Sequence, residues 1–225
     1  MPFLPNQLQA VVFDMDGVLI DSEILYLKAA KAAAHELGFI FSDDLHQSIV
    51  GSPQEICDKK IHEAMGPEFP FADYNRLYSQ IVTAEFHRDI PIKPGVRELL
   101  SLLRTLEIPI AVATSTDRGA ANDHLSRAEL APYFRAIITR DDVSRGKPHP
   151  EPYLLAANTL GVDAKYCLAL EDSHNGVRSA HGAGMQTIMV PDMLPATKEI
   201  SDLCIAVMND LHRVREIFEA RGKSD

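Results

Sequence analysis

Two carboxylates two residues apart close the first apolar run of the chain, in Asp14-Met15-Asp16-Gly17-Val18-Leu19-Ile20-Asp21-Ser22-Glu23. Such a pair, followed by glycine, does not satisfy itself inside a core. Asp14 comes directly after Phe13 in a segment expected to be central and buried, and a buried carboxylate needs a partner, most simply a metal ion. Asp21 or Ser22, further along, reads as a turn former or helix cap. A second polar cluster, Thr114-Ser115-Thr116, follows another apolar run. Hydroxyls there can bind a phosphate, helped by backbone N–H groups at the next helix start, although strand ends often carry Ser or Thr only as helix caps. A third, Gly146-Lys147-Pro148-His149-Pro150-Glu151-Pro152, holds one lysine on a stiff proline-rich loop. Taken alone, Lys147 reads as a solvated surface lysine. The fourth, Leu170-Glu171-Asp172-Ser173-His174-Asn175-Gly176, offers adjacent acids suited to a hard, oxygen-liganded cation such as magnesium. Asp172 or Ser173 could also cap a helix there.

The elements that must position these groups alternate. Short apolar runs at 10–14, 108–114, 136–139, 166–170 and 187–190 read as buried strands, with 203–207 as a last edge strand. Between them, Val96, Leu99, Leu100, Leu103 and Leu106 mark one helix face, with Pro94 near its start, and 152–160 and 177–183 read as further helices. This alternation predicts an α/β fold, a parallel sheet covered by helices on both faces, with ligands at the carboxyl ends of the strands. From Ser22 to Arg88 the pattern is helical throughout, with turns at Gly38, Gly51-Ser52-Pro53 and Gly66-Pro67. The expected organisation is therefore a core of residues 1–20 and 90–225 and a helical cap of residues 21–89.

The chain has 225 residues, enough for one large domain or a domain with an insert. Its formal charge of −10 argues against nucleic acid or an anionic membrane surface as partner, since both are bound by basic surface. An anionic small molecule remains compatible if a local cation meets its charge. Cys57, Cys167 and Cys204 show no zinc or disulfide spacing and read as reduced, mostly buried thiols. The first residues lack a signal-peptide pattern, and no apolar run reaches membrane-spanning length. A soluble, cytoplasmic protein is expected, and a monomer, because no exposed apolar stripe is evident. His149, His174 and His181 read as surface or helix-capping residues, and Met185, Met189 and Met193 as core and loop.

Taken in order, DMDGVLIDSE, the Thr/Ser segment, KPHPEPY and EDSHNGV closely resemble the haloacid dehalogenase superfamily, in its phosphatase-type members with a small helical cap. The resemblance spans nearly the whole chain and implies a Rossmann-like core. It implies Asp14 as the nucleophile that becomes an aspartyl phosphate, and Asp16 as general acid and then base. It implies Mg2+ held by Asp14, the main-chain carbonyl of Asp16, and Asp172, with Glu171 direct or one shell out. Thr114, the amide of Ser115 and Lys147 would hold the other phosphate oxygens. Superfamily members that cleave C–halogen or C–P bonds generally lack the second acid, so Asp16 disfavours those reactions.

The same segments serve sugar-phosphate phosphatases and beta-phosphoglucomutase. The mutase pattern has a histidine where Tyr26 stands, a cap arginine near Gln54, and a lysine where Asp117 stands. Each difference removes positive charge or a proton handle from a second-phosphate site, so hydrolysis of a small phosphorylated metabolite is favoured over the mutase reaction. Glu23, Tyr26 and Gln54 are candidate substrate-facing cap residues; Lys28, Lys59 and Lys60 are others. A non-catalytic phosphometabolite-binding protein would be expected to have lost Asp14, Asp16 or Asp172, and all three are kept.

Overall fold

The structure is a computed structural model and describes residues 8–50, 52 and 54–221, the side chains of 54 and 221 excepted. Its sheet has six strands among these residues, in the order β3-β2-β1-β4-β5-β6. They are β1 Ala10–Phe13, β2 Ile110–Ala113, β3 Ala136–Ile138, β4 Cys167–Glu171, β5 Gln186–Met189 and β6 Ala206–Val207. Every pairing is parallel. β1 lies in the middle, with Phe13 opposite Val112 of β2 on one side and Leu170 of β4 on the other. The chain builds outward from β1 through β2 to β3, then crosses back to start β4 on the other flank. That reversal opens a crevice at the carboxyl ends of β1 and β4. The expected strands are all present, each within two or three residues of its predicted bounds. One difference matters for chemistry: Glu171 is the last residue of β4 rather than a loop residue after it.

Continuous apolar runs form these strands because both faces of the sheet are covered. Successive side chains alternate between faces. On one face the strands present small residues, Ala10, Ala111, Ala113 and Ala169. That leaves room for the ring of Tyr153, which is fully buried, together with Ala156 and Ala157 of the same helix. The helices of this unit are α5 Val96–Thr105, α6 Arg118–Arg127, α7 Glu151–Leu160, α8 His174–Gly182, α9 Lys198–Leu203 and α10 Leu211–Arg221. The spacing of Val96, Leu99, Leu100 and Leu103 buries one face of α5, which packs along α10.

The contacts divide the chain into two compact units. One comprises the residues up to Ile20 and from Pro91 onward, the other Asp21–Ile90. In the first unit, Ile20 and Ile92 form an antiparallel bridge and the Lys93 amide donates to the Leu19 carbonyl at 3.0 Å, so the two ends of the insert are held together. The second unit is helical: α1 Ser22–Glu36, α2 Asp43–Ile49, α3 Gln54–Met65 and α4 Phe71–Arg88. Alanines 29, 30, 33 and 34 line the buried side of α1, and α1 packs along α4. Phe41, Phe69 and Tyr74 fill the unit's core. The expected cap by Asp21 or Ser22 is not formed. Asp21 holds the N-cap position of α1 with φ −86° and ψ 62°, away from the extended geometry that aims a side chain at the first amides, and makes no side-chain cap bond.

Among the described residues no helix is long and apolar enough to cross a membrane. Cys167 is buried as expected, but Cys57 and Cys204 are only half-buried; all three are free thiols. Met185 and Met189 belong to the core and Met193 is exposed.

Gly95 precedes α5 with φ +86°, and a Cβ there would meet the backbone of Leu211 and His212. Gly95→Ala is therefore expected to cost about 2 kcal/mol or more, from left-handed backbone strain and a backbone clash. Urea denaturation of the variant would read this as a lowered midpoint at unchanged slope.

Candidate active site

The four polar segments converge where the sheet order places the ends of β2, β1 and β4 side by side. The Asp14 amide donates to the Leu170 carbonyl at 2.9 Å, carrying the β1–β4 ladder one residue past the strand. The Thr114 amide likewise donates to the Ile138 carbonyl at 2.9 Å. These bonds fix the backbones from which the side chains project.

Lys147 is the hub. Its ammonium donates to Asp14 Oδ1 and to Glu171 Oε1, each at 2.5 Å, and its side chain is only 6% exposed. The solvated-lysine reading of Lys147 is thereby corrected: two buried carboxylates supply the compensation that makes burial of the ammonium tolerable. The Lys147–Pro148 peptide is cis.

Glu171 is fully buried, and five donors reach its carboxylate. Oε1 accepts from Lys147 and, at 2.6 Å, from the Tyr153 hydroxyl. Oε2 accepts from the amides of Asp172 and Ser173 and from the Ser173 hydroxyl, at 3.2, 3.3 and 3.1 Å. Ser173 also caps α8 by accepting from the Gly176 amide. Of the two candidate caps in this segment Ser173 serves as the N-cap of α8. The Asp172 carboxylate packs against Gly17, whose φ is +80° and whose missing Cβ makes room for it.

Asp16 Oδ2 accepts from the Thr116 hydroxyl at 2.8 Å, while Asp16 Oδ1 is buried without a hydrogen-bond partner. Thr114 is buried and its hydroxyl accepts from the Thr116 amide at 3.1 Å; Ser115 is exposed. None of these three hydroxyls caps α6. Asp117 does, accepting from the Ala120 amide at 2.9 Å.

Oxygen ligands from Asp14, Glu171 and Asp172 all lie within 4.8 Å of one another. Three acids around one ammonium leave an uncompensated negative charge, and the protonation equilibria reflect it. Burial pushes the Asp14 carboxyl up to about 7, against the pull of Lys147 and with help from Glu171 and Asp16. Burial, then Asp14 and Glu171, push the Asp172 carboxyl well above its ordinary value. Burial alone would lower the Lys147 ammonium, but Asp14 and Glu171 together raise it. An all-oxygen donor set with surplus negative charge fits a hard divalent cation.

The cap candidates lie in the second unit. Glu23 and Tyr26 line a cavity of about 420 Å³ within it, together with His46, Cys57, Tyr74 and Tyr78. His46 Nε2 lies 3.3 Å from Glu23 Oε2. The side chain of Gln54 lies outside the described residues. Lys28 pairs with Glu85 at 2.6 Å, Lys59 with Glu63, and Lys60 donates to the Ser48 carbonyl. His149 accepts from the Glu151 amide at the start of α7, a capping role, and His181 is exposed.

The structure adds three residues that sequence reasoning did not single out: Thr116 on Asp16, Tyr153 on Glu171, and Gly176 beneath Glu171. Thr116 and Tyr153 stand inside the quoted segments, but their partners lie 100 and 18 residues away. At Gly176 any Cβ would overlap the Glu171 carboxylate. Gly→Ala within a helix ordinarily gains about 1 kcal/mol. Gly176→Ala should instead destabilise by roughly 3 kcal/mol or more, because it must dislodge a buried, paired carboxylate. Equilibrium denaturation gives the sign directly.

Residues 11–190 match the family model described as haloacid dehalogenase-like hydrolase. A phosphorylated carbohydrates phosphatase of Thermotoga maritima is 35% identical over 181 residues, spanning 80% of this chain and 84% of that protein. Hexitol phosphatase B of Escherichia coli K12 is 32% identical over 191 residues, 83% of this chain and 85% of that one. A solved Thermotoga maritima structure, provisionally named a beta-phosphoglucomutase, superposes with a TM-score of 0.81 at 32% identity, covering 96% of this chain and 99% of its own. With this match across most of its length, and with the acids, lysine and hydroxyls gathered at the sheet's switch point, the chain belongs to the haloacid dehalogenase-like hydrolase family.

Proposed function

We propose that the protein is a Mg2+-dependent phosphatase that hydrolyses a small phosphorylated metabolite of the sugar- or polyol-phosphate type through an aspartyl phosphate on Asp14. The observation that carries this reading is Lys147 bridging Asp14 and Glu171, with Asp172 in the same acidic cluster. In this reading Asp14 attacks phosphorus, and Asp16 protonates the leaving oxygen and later takes the proton of the attacking water. Its restraint by Thr116 keeps one carboxylate oxygen fixed and leaves the other, buried and unpaired, for that transfer. Thr114, the Ser115 amide and Lys147 hold the remaining phosphate oxygens. Asp14, the Asp16 carbonyl and Asp172 would hold Mg2+, which supplies charge neutralisation for two anions brought together. With five protein donors on its carboxylate, Glu171 is read as lying one shell out. The helical insert is read as the substrate-selecting cap.

Hydrolysis is favoured over the mutase reaction. A mutase must hold a second phosphate, and the cavity of the helical insert is lined by Glu23 and by no lysine or arginine among the described residues. Asp117, where the mutase pattern has lysine, is committed to capping α6. The phosphatase names of the two curated relatives agree with this choice.

The direct test is phosphate release from a panel of esters with Mg2+, including beta-glucose 1-phosphate, with Asp14→Asn as control. Release that disappears in the variant and with chelator is expected. Conversion of bisphosphate-primed beta-glucose 1-phosphate to glucose 6-phosphate, without free phosphate, would establish a mutase instead.

A pH dependence follows from Asp14. Its folded pKa of about 7 exceeds the ordinary value of 3.8, so between those values the folded, metal-free protein keeps a proton that the unfolded chain has released. That contribution to stability is full at low pH and is lost as pH rises through about 7. Metal binding must displace the proton. Apparent Mg2+ affinity should therefore rise with pH below pH 7, by up to about tenfold per pH unit for the Asp14 proton, with a proton displaced from Asp172 adding to the slope. Titration calorimetry across that range reads it, and a flat profile would remove Asp14 from the metal site.

A further inference from the structure

Tyr153 is among the largest fully buried side chains of the molecule, and its hydroxyl makes a 2.6 Å bond to Glu171 Oε1. A buried phenol beside a buried carboxylate is an expensive core filler; phenylalanine would occupy the same volume among Ala10, Ala111, Ala113 and Ala169 without a polar group to satisfy. The ring also lies under the Lys147 ammonium, 5.2 Å from its centroid. Tyr153 thus touches both partners of the Lys147–Glu171 pair while lying outside the acidic cluster itself.

The two oxygens of Glu171 are held differently. Oε2 is fixed by local groups, two backbone amides and the Ser173 hydroxyl. Among the described residues, Oε1 is held by Lys147 and Tyr153 only. Lys147 has three protons on a flexible stem and gives one of them to Asp14. When a phosphate draws the ammonium toward itself, Tyr153 is the remaining rigid donor on Oε1. Its phenol keeps that proton, since burial and then Glu171 push its pKa far upward.

We infer that Tyr153 is a positioning residue that pins Glu171 as the anchor of Lys147 and keeps its carboxylate out of the inner coordination shell of the metal. The inference rests on the metal-dependent phosphatase reading above. Its consequence is metal selectivity. With Glu171 pinned, two carboxylates are available as inner ligands, a sparse set suited to Mg2+, which keeps several waters. A released Glu171 would add a third carboxylate to a looser site, which favours Ca2+, a cation that takes six to eight oxygens.

The test compares wild type and Tyr153→Phe, which conserves volume, by calorimetric titration with Mg2+ and with Ca2+, alongside phosphate-ester turnover and thermal melting. The expected result is a rise of about tenfold in the Ca2+:Mg2+ affinity ratio and a fall of about tenfold in kcat, as for loss of an outer-shell partner. Added to Glu171→Gln, the same change should leave the ratio where Glu171→Gln alone puts it. A ratio within twofold of wild type, whatever the melting temperature, would make Tyr153 a structural filler and overturn the inference. A full effect persisting in the Glu171→Gln background would overturn it too, since Tyr153 would then not act through Glu171. A wild-type protein that binds metal but hydrolyses no ester would sink the phosphatase reading while the affinity ratio still decides the role of Tyr153. A wild type that binds neither metal would overturn both.

Discussion

Gathering like charges at the buried edge of a parallel sheet is the constraint around which the first unit is built. Asp14, Glu171 and Asp172 come within reach of a single ion, in a place where burial favours the neutral form of Asp14 and of Asp172. Lys147 holds the arrangement together by giving one proton to Asp14 and another to Glu171. An ammonium between two buried carboxylates gains large Coulombic attraction but leaves the cluster one or more charges short of neutrality. That residual charge suits the cluster to a cation, so the folded chain stores an electrostatic imbalance at the carboxyl ends of β1 and β4.

Several local features make this imbalance geometrically possible. Glycine at 17 and at 176 lets two carboxylates lie directly against backbone. Alanines on four strand positions let the Tyr153 ring reach across the sheet to Glu171. The Ser173 hydroxyl serves two ends at once, capping α8 and holding Glu171. Asp117 takes the capping duty of α6, which frees Thr116 for Asp16. Cap, core and site are therefore not separable here, and a substitution in one registers in the others.

The helical insert has a different character. Its core is alanine against aromatic rings, and its cavity mixes tyrosine hydroxyls with Glu23 and His46. The cationic side chains suggested by the sequence are occupied elsewhere: Lys28 by Glu85, Lys59 by Glu63, and Lys60 by a main-chain carbonyl. Among the described residues this lining has no lysine or arginine that could meet the charge of a second phosphate.

The strands, their parallel class and the interruption by a helical segment were legible in the sequence, because apolar runs and helical periodicity are local signals. Asp14, Asp16, Glu171 and Asp172 were legible as candidates because acids gather at the ends of two apolar runs, where capping was the alternative, and because a buried Asp14 needs a partner. Pairing was not legible. Lys147 on its loop, taken alone, looks like any solvated lysine; the family resemblance assigned it to the phosphate, but its pairing with two acids 133 and 24 residues away appears only in the fold. Thr116 and Tyr153 are ordinary residues until their partners arrive, and Asp21 looks like a cap until its backbone angles are known. The sequence by itself determined which groups could do chemistry and roughly where each element runs. Tertiary structure alone decided which charges meet, since burial and distances of a few ångströms set the strength of an electrostatic contact, and neither is a property of any short stretch of chain.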